Sequence, residues 1–166
     1  WPGYSSFYSG VGPDRGIYAH NGVLYKLNGT TLYSIDSLGV ATTLGTIPGS
    51  GRAIFDGMGS ILIIAANDTA YTWDGSTLTT ASDGDFETPQ TVTVINKQAI
   101  YDGDDDRYGV SDVGSPLSIN ALNYGSAEFS SDDLRRPYAF GSIVYMFGDR
   151  TTEQHWNDAS VSEPPF

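Results

Sequence analysis

Short runs of alternating apolar and polar residues cover most of the chain, and glycine-containing dipeptides separate them. Runs rich in Val, Ile, Thr and Tyr between such dipeptides are typical of β-strands. Strands are predicted over Gly16–His20, Val23–Leu27, Thr31–Ile35, Ser60–Ala65, Thr69–Trp73, Thr91–Ile95, Gln98–Asp102, Arg107–Ser111, Ser142–Phe147 and Thr152–Trp156. Hairpin turns, which Asn, Asp and Gly favour, are predicted at Asn21-Gly22, Asn28-Gly29, Asp56-Gly57, Asp74-Gly75, Asp83-Gly84 and Asp102-Gly103. No segment sustains a helical period, so the pattern predicts an antiparallel all-β protein.

The strands recur in groups of about four with a spacing of roughly 40 residues, which is typical of β-propeller blades. Arg15-Gly16-Ile17-Tyr18 opens one unit, and Arg52-Ala53-Ile54-Phe55 opens the next, 37 residues later. In this alignment Gly22 matches Gly59 and Leu24 matches Ile61. We therefore predict one domain, 1–166, with blades at about 11–50, 51–88, 89–130 and 131–166.

A four-stranded sheet buries a face by stacking on the next sheet, and most propellers carry more than four blades. The prediction is therefore a partial β-propeller, an open arc cut from a larger ring, and a β-sandwich is the structural alternative. We interpret the sequence as a fragment of a longer chain, because neither end resembles a chain terminus at Trp1–Tyr4 or at Glu163–Phe166. Pro116–Tyr124 alternates weakly, and we predict an extended loop there between the third and fourth blades.

The net charge of the chain excludes some classes of function. The chain has 8 basic and 20 acidic residues, a net charge of −12. It cannot present a broad basic face to nucleic acid, and anionic membranes repel it. Cysteine is absent, which excludes disulfides, cysteine-ligated metals and a thiol nucleophile.

Catalytic and metal-binding motifs are weak in this sequence. His20 and His155 have no acidic partners at metal-ligand spacing and are predicted to be ordinary strand residues. No Gly-x-Ser-x-Gly elbow and no phosphate-binding glycine loop is present. Ser82–Phe86 faintly resembles the Asp-box turn of sialidase propellers, but it occurs once, and Arg135-Arg136 is the only adjacent arginine pair. We predict no catalytic, metal or cofactor site, and a glycosidase is a minor alternative.

The strongest concentration of charge follows one predicted strand and consists of Asp102, Asp104, Asp105 and Asp106. A calcium loop would need glycine at its sixth position and glutamate at its twelfth, where Arg107 and Val113 are found. We predict a solvated hairpin tip whose charge discourages edge pairing.

The last third of the chain resembles a phage family. Met146–Asn157 is similar to a "Phe-Gly-acid-Arg-Thr-Thr-Glu-x-x-aromatic" strand pair in the packaged-DNA stabilisation proteins, or tail accessory (tail hub) proteins, of short-tailed bacteriophages. Asp149 replaces a frequent Glu, and His155 replaces an apolar residue. Ser115–Glu128, Pro2-Gly3, Arg15-Gly16 and Pro165-Phe166 match other family segments in order. The matching motif residues are Phe147, Gly148, Arg150, Thr151, Thr152, Glu153 and Trp156.

The resemblance implies a structural virion protein made in the host cytoplasm, with no reaction to catalyse. Such proteins assemble as a homo-oligomeric ring, commonly a hexamer, below the portal and adaptor proteins. They close the head–tail channel, stabilise packaged DNA, form part of the ejection conduit and dock the tail needle or fibres, without specific DNA binding or a membrane. Asp104–Asp106 is a candidate DNA-repelling surface. A carbohydrate- or receptor-binding propeller is the alternative function.

Overall fold

The chain folds into four antiparallel β-sheets. A computed structural model describes residues 7–127 and 132–156, and no helix occurs within these ranges. It follows that no helix long and apolar enough to cross a membrane is found in them. The first sheet contains β1 (Asp14–His20), β2 (Val23–Asn28), β3 (Thr31–Ile35) and β4 (Ala41–Thr46). The second contains β5 (Ala53–Met58), β6 (Ile61–Ala66), β7 (Thr69–Trp73) and β8 (Leu78–Thr80). The third contains β9 (Val92–Ile95), β10 (Gln98–Asp102), β11 (Arg107–Asp112) and β12 (Ser115–Ser126), and the fourth β13 (Leu134–Phe140), β14 (Ile143–Gly148) and β15 (Thr152–Trp156).

Each hydrophobic core lies between two successive sheets. Leu27 and Leu32 of the first sheet pack with Leu62 and Ile64 of the second. Similar cores join the second sheet to the third and the third to the fourth. The strands β1, β5, β9 and β13 are neighbours in that order, so the sheets radiate from one axis like propeller blades. The predicted open, partial β-propeller is confirmed, and the sandwich alternative, which needs two sheets, is wrong.

The middle sheets are covered on both faces. In β6, Leu62 and Ile64 face the first sheet while Ile63 and Ala65 face the third. A strand buried on both faces reads as a continuous apolar run, which explains Ile61–Ala66. The predicted blade limits stay a prediction, because residues 128–131 and 157–166 lie outside the described part of the chain. Trp1–Tyr4, Pro2-Gly3, Glu163–Phe166 and Pro165-Phe166 lie outside it as well.

The predicted loop at Pro116–Tyr124 is wrong. These residues belong to β12, an outer strand paired with β11. The pairing shifts from Ser111 opposite Ile119 to Gly109 opposite Tyr124. Irregular pairing of this kind changes which side chains face the core. The sequence then lacks the regular alternation of apolar and polar residues by which a strand is identified. Proline is accepted because an edge strand needs fewer N–H donors.

The predicted turn at Asp56-Gly57 is also wrong, because both residues lie inside β5. The hairpin turn follows at Gly59 and Ser60. A Cβ on Gly57 would collide with the His20 ring, and Asp56 Oδ1 accepts the Tyr18 hydroxyl at 3.1 Å. Both residues are thus explained by contact between the first and second sheets rather than by a turn.

Pairing in the sheets corrects the repeat alignment. Leu24 pairs with Ala19 and Ile35, and Leu62 pairs with Gly57 and Trp73 in the same way. Leu24 therefore matches Leu62, and the predicted match with Ile61 is wrong by one residue. Because side chains alternate faces, that slip would have turned each core residue to the opposite face.

The first and fourth sheets match without a gap. Asp14 pairs with Asn28 and Gly16 with Leu27, and Leu134 pairs with Gly148 and Arg136 with Phe147. Each residue of the first sheet is 120 positions before its equivalent in the fourth sheet, as for Asp14 and Leu134, since 134 − 14 = 120. The pairing of the first strand is also irregular at the same place in both sheets, at Arg15 and at Arg135. The first sheet thus identifies the equivalent position of each residue in the fourth sheet, whatever the burial of the two residues.

Candidate functional site

The predicted acidic cluster borders a cleft where the second, third and fourth sheets meet. The cleft has a volume of about 390 Å³, and its lining includes the carboxylates of Asp68, Asp102, Asp104, Asp105 and Asp133 together with Arg135. The structure thus brings three of the four predicted aspartates to one surface. Asp106 is half-buried and is not among the lining residues.

Asp102 is buried, unlike Asp104 and Asp105, so its assignment to a solvated tip is wrong. Its Oδ1 accepts the backbone N–H groups of Gln90 at 2.8 Å and Thr91 at 2.6 Å. These bonds fasten the segment that enters β9 to the end of β10. Burial raises the pKa of Asp102 to about 6, although the two N–H groups act in the opposite direction.

This raised pKa predicts a pH-dependent stability. The folded chain holds the Asp102 proton more tightly than the unfolded chain, whose carboxyl has a pKa of 3.8. The stabilisation that this proton provides is complete below pH of about 4 and is lost as the pH rises through about 6. Asp102→Asn keeps the acceptor oxygen without the charge. We expect the variant to be more stable than the parent by roughly 2 kcal/mol at pH 8, with no difference near pH 4.

Urea denaturation between pH 4 and pH 8 measures this difference. Asp105→Asn is the matched control, because it removes one negative charge from the same loop at an exposed position. The assignment fails if Asp102→Asn follows the parent at every pH, or if the control reproduces its effect.

The other contacts of the acidic loop stabilise the fold. The carboxylate of Asp104 accepts the Thr88 hydroxyl, and the Asp105 carbonyl accepts the N–H of Leu134 at 2.7 Å. The loop therefore connects the third sheet to the fourth. Within the described ranges, no three Asp, Glu or His side chains are placed to hold a metal ion.

The family motif forms a corner of the fourth sheet. The turn from β14 to β15 wraps the carboxylate of Asp132, which accepts the N–H of Arg150 at 2.6 Å and the hydroxyl of Thr151 at 2.7 Å. A Cβ on Gly148 would collide with that carboxylate, which explains the glycine. The Thr151 hydroxyl and the two N–H groups lower the pKa of Asp132. Arg150, Thr151 and Gly148 thus serve to hold the chain entering β13.

The other motif residues lie in two different environments, one in contact with the third sheet and one exposed to solvent. Glu153 Oε2 lies 3.2 Å from His155 Nε2, and the His155 ring packs edge-on against buried Tyr108 of the third sheet. Thr152 lies at the start of β15, and Phe147 and Trp156 are exposed. His155 and His20 lie in β15 and β1 as predicted, and they belong to different sheets.

The sequence prediction missed the most buried charged side chain of the described residues, Arg15, which is 3% exposed. Its Nε donates to the Gly51 carbonyl at 2.6 Å, and its Nη1 donates to the carbonyls of Ile47 at 2.9 Å and Gly29 at 3.0 Å. Desolvation lowers the pKa of its guanidinium. The 120-residue repeat, in which Arg15, Tyr18 and Tyr25 recur as Arg135, Tyr138 and Tyr145, marks this position but not its burial, because Arg135 is exposed.

Comparison with known proteins decides the family. The phage-stabilisation family described as bacteriophage P22 Gp10, a β-propeller, matches residues 1–166. The chain belongs to the P22 Gp10 family. Membership identifies this Gp10-family chain as a phage structural protein built from propeller blades. A comparison with individual curated proteins gives no significant match.

Several solved structures have a similar, propeller-like fold. The designed protein Ika4 gives a TM-score of 0.68 at 10% identity and covers 92% of the Gp10-family chain and 98% of its own. The designed protein Ika8 gives 0.65 at 14% identity over 90% and 48% of the two chains. Hsv2 of Kluyveromyces lactis gives 0.64 at 9% identity over 90% and 51%. The Gp10-family chain thus spans about half the length of Ika8 and Hsv2, and these likenesses concern the fold alone.

Proposed function

We propose that this chain is part of a phage tail hub that closes the head–tail channel after packaging, helps to retain the DNA and forms part of the ejection conduit. Membership of the Gp10 family over the whole chain is its first support. We assign no reaction to the chain. Its proposed partners are further copies in a ring, the portal or adaptor above and needle or fibre proteins below.

The observation that carries this proposal is an uncovered face of the fourth sheet. Tyr25 and Leu27 of the first sheet are buried against the second sheet. Their equivalents 120 residues later are Tyr145 and Phe147, and Phe147 is 40% exposed. Further large side chains on this face are Tyr138, Phe140 and Trp156. A face with several exposed aromatic side chains is typical of a surface that another protein segment covers.

The same exposed aromatic residues favour a second candidate, a carbohydrate- or receptor-binding propeller. Exposed aromatic rings offer flat apolar surfaces with a polar edge, on which a sugar ring could stack. Binding on a glycan array that Trp156→Ala abolishes would support this second function.

DNA retention tests the tail-hub proposal. Phage particles are assembled without this protein, and the DNA that they protect from nuclease is measured before and after the full protein is added. The proposal expects low protection that the added protein restores. Full protection without the protein, or no restoration by folded protein, would contradict it.

The acidic loop yields a separate prediction about ejection. If Asp104–Asp106 faces the conduit, its charge repels DNA phosphates within about 8 Å at physiological salt. Replacing Asp104–Asp106 with Asn should then slow DNA release without changing assembly. Asn preserves the acceptor that Asp104 offers to Thr88, and it tolerates the positive φ of Asp105.

Single-particle ejection kinetics measure this effect. The matched control replaces Asp36, Asp74 and Asp112 with Asn, since these exposed residues lie at the opposite ends of the sheets and carry the same total charge. Equal rates for parent and variant would remove the loop from the conduit. Equal slowing by both triple variants would attribute the effect to net charge.

A further inference from the structure

Four arginines of this acidic chain have no ion pair with a described carboxylate. Lys26, Arg107 and Arg135 each pair with Asp or Glu side chains. Among residues 7–127 and 132–156, the arginines without such a pair are Arg15, Arg52, Arg136 and Arg150; the first three lie in one region of the fold. With 20 acidic and 8 basic residues in the chain, carboxylate partners are plentiful, so three unpaired arginines in one region need an explanation.

Two of these arginines face one cleft near the propeller axis. The cleft has a volume of about 330 Å³ and lies where β1, β5 and β13 meet. Arg52 at the start of β5 and Arg136 of β13 line it, together with Gly16–Tyr18 and Ala53–Phe55. A second cleft of about 420 Å³ shares Gly16, Ile17 and Arg52 and is also lined by Arg15, Lys26 and Asp14. Basic groups thus accumulate around the axial cleft.

The donors of these arginines are not all used. Arg136 Nε is buried and has no hydrogen-bond partner among the described residues, and the same is true of Arg15 Nη2. A buried N–H group without an acceptor is costly, so an acceptor in its place stabilises the site. Arg52 is exposed and lines the cleft.

The carboxylates on two of the strands that border the cleft, Asp14 of β1 and Asp56 of β5, are already occupied. Asp56 accepts the Tyr18 hydroxyl at 3.1 Å and the N–H groups of Gly57 at 2.7 Å and Val94 at 2.8 Å. Asp14 pairs with Lys26 at 3.1 Å and accepts the Asn28 amide. Neither carboxylate neutralises Arg52 or Arg136.

We propose that this axial cleft binds a phosphate-type oxyanion between Arg52 and Arg136. The guanidinium fork donates two parallel N–H groups to the oxygens of such an anion, which a lysine cannot do. The inference depends on the side chains of the cleft and not on the tail-hub function. A small anion fits better than a polyanion, because a chain of charge −12 repels a nucleic acid over its whole length.

Titration with inorganic phosphate, followed by NMR of the backbone amides, tests the proposal at matched ionic strength. We expect saturable shifts at Gly16–Tyr18 and Ala53–Phe55. The double variant Arg52→Gln with Arg136→Gln should weaken binding on the order of tenfold to a hundredfold. Lys97→Gln is the charge-matched control, because Lys97 lies in the exposed turn between β9 and β10. It should bind phosphate like the parent.

The other outcomes overturn the proposal. These are shifts that do not saturate, shifts confined to other residues, and equal weakening by Lys97→Gln. Arg52→Gln alone changes an exposed side chain, so it gives an answer even if the double variant does not fold. A thymidine oligonucleotide forms a second arm. Tighter binding of this oligonucleotide than of phosphate, lost in the same variants, would overturn the assignment to a small anion.

Discussion

Replacing Arg15 with alanine is expected to lower the free energy of unfolding by about 3 kcal/mol. Its guanidinium supplies hydrogen bonds to the carbonyls of Gly51, Ile47 and Gly29. These acceptors lie in the first sheet and in the connection to the second, so the side chain fastens two blades together. Alanine leaves the carbonyls without these donors, and a buried acceptor that loses its partner costs more than the bond contributed. Relief of the desolvated charge offsets part of the loss.

The repeat provides the control. Arg135 occupies the equivalent place in the fourth sheet but is exposed, and it pairs with Asp149 through Nε at 2.5 Å and Nη2 at 2.8 Å. An exposed ion pair contributes little, so Arg135→Ala should change stability far less. Urea denaturation of both variants measures the difference. Similar losses for the two substitutions would show that Arg15 does not act through the blade interface.

The second large effect is expected at Gly16. A Cβ there would lie 2.6 Å from the Ala53 carbonyl oxygen and 2.6 Å from Phe55 Cε2. The oxygen belongs to the backbone of β5, so it cannot move without shifting a whole strand. Overpacking of this kind typically costs 1–3 kcal/mol. We expect Gly16→Ala to lower the free energy of unfolding by about 2 kcal/mol and to separate β1 from β5.

Gly84→Ala is the matched glycine control, because a Cβ at Gly84 would meet nothing within 4 Å. Its denaturation midpoint should equal that of the parent. The separation of β1 and β5 is visible in hydrogen exchange at Ala53 and Phe55, which should speed up in Gly16→Ala alone. An unchanged midpoint for Gly16→Ala would mean that the first two sheets pack less closely than described.

Local patterns predicted the strands well where a two-residue turn joins two alternating segments directly. Val23–Leu27 and Thr31–Ile35 alternate and are separated by Asn28-Gly29, so hairpin and register follow from short-range preferences. The same reasoning failed at Pro116–Tyr124 and at Asp56-Gly57. In both places the backbone is shaped by contacts with residues distant in the chain, which a local pattern does not contain.

The same distinction between local patterns and long-range contacts applies to the candidate site. The sequence located the concentration of charge at Asp102–Asp106 and the motif from Phe147 to Trp156. It could not separate buried Asp102 from its exposed neighbours, because burial depends on Gln90 and Thr91 folding over it. Nor could it place Arg52 beside Arg136, which are 84 residues apart, since 136 − 52 = 84.

The amino-acid order alone determined the all-β class, the repeat of blades and the phage family, because alternation, turn residues and short motifs are local properties of a chain. Tertiary structure alone decided which aspartate loses water, which arginines remain without a carboxylate and which aromatic face remains uncovered. The physical reason is that desolvation and close approach arise between sheets. Desolvation and close approach depend on distances between neighbouring sheets, which only folding creates. The spacing of residues along the chain is the same before and after folding.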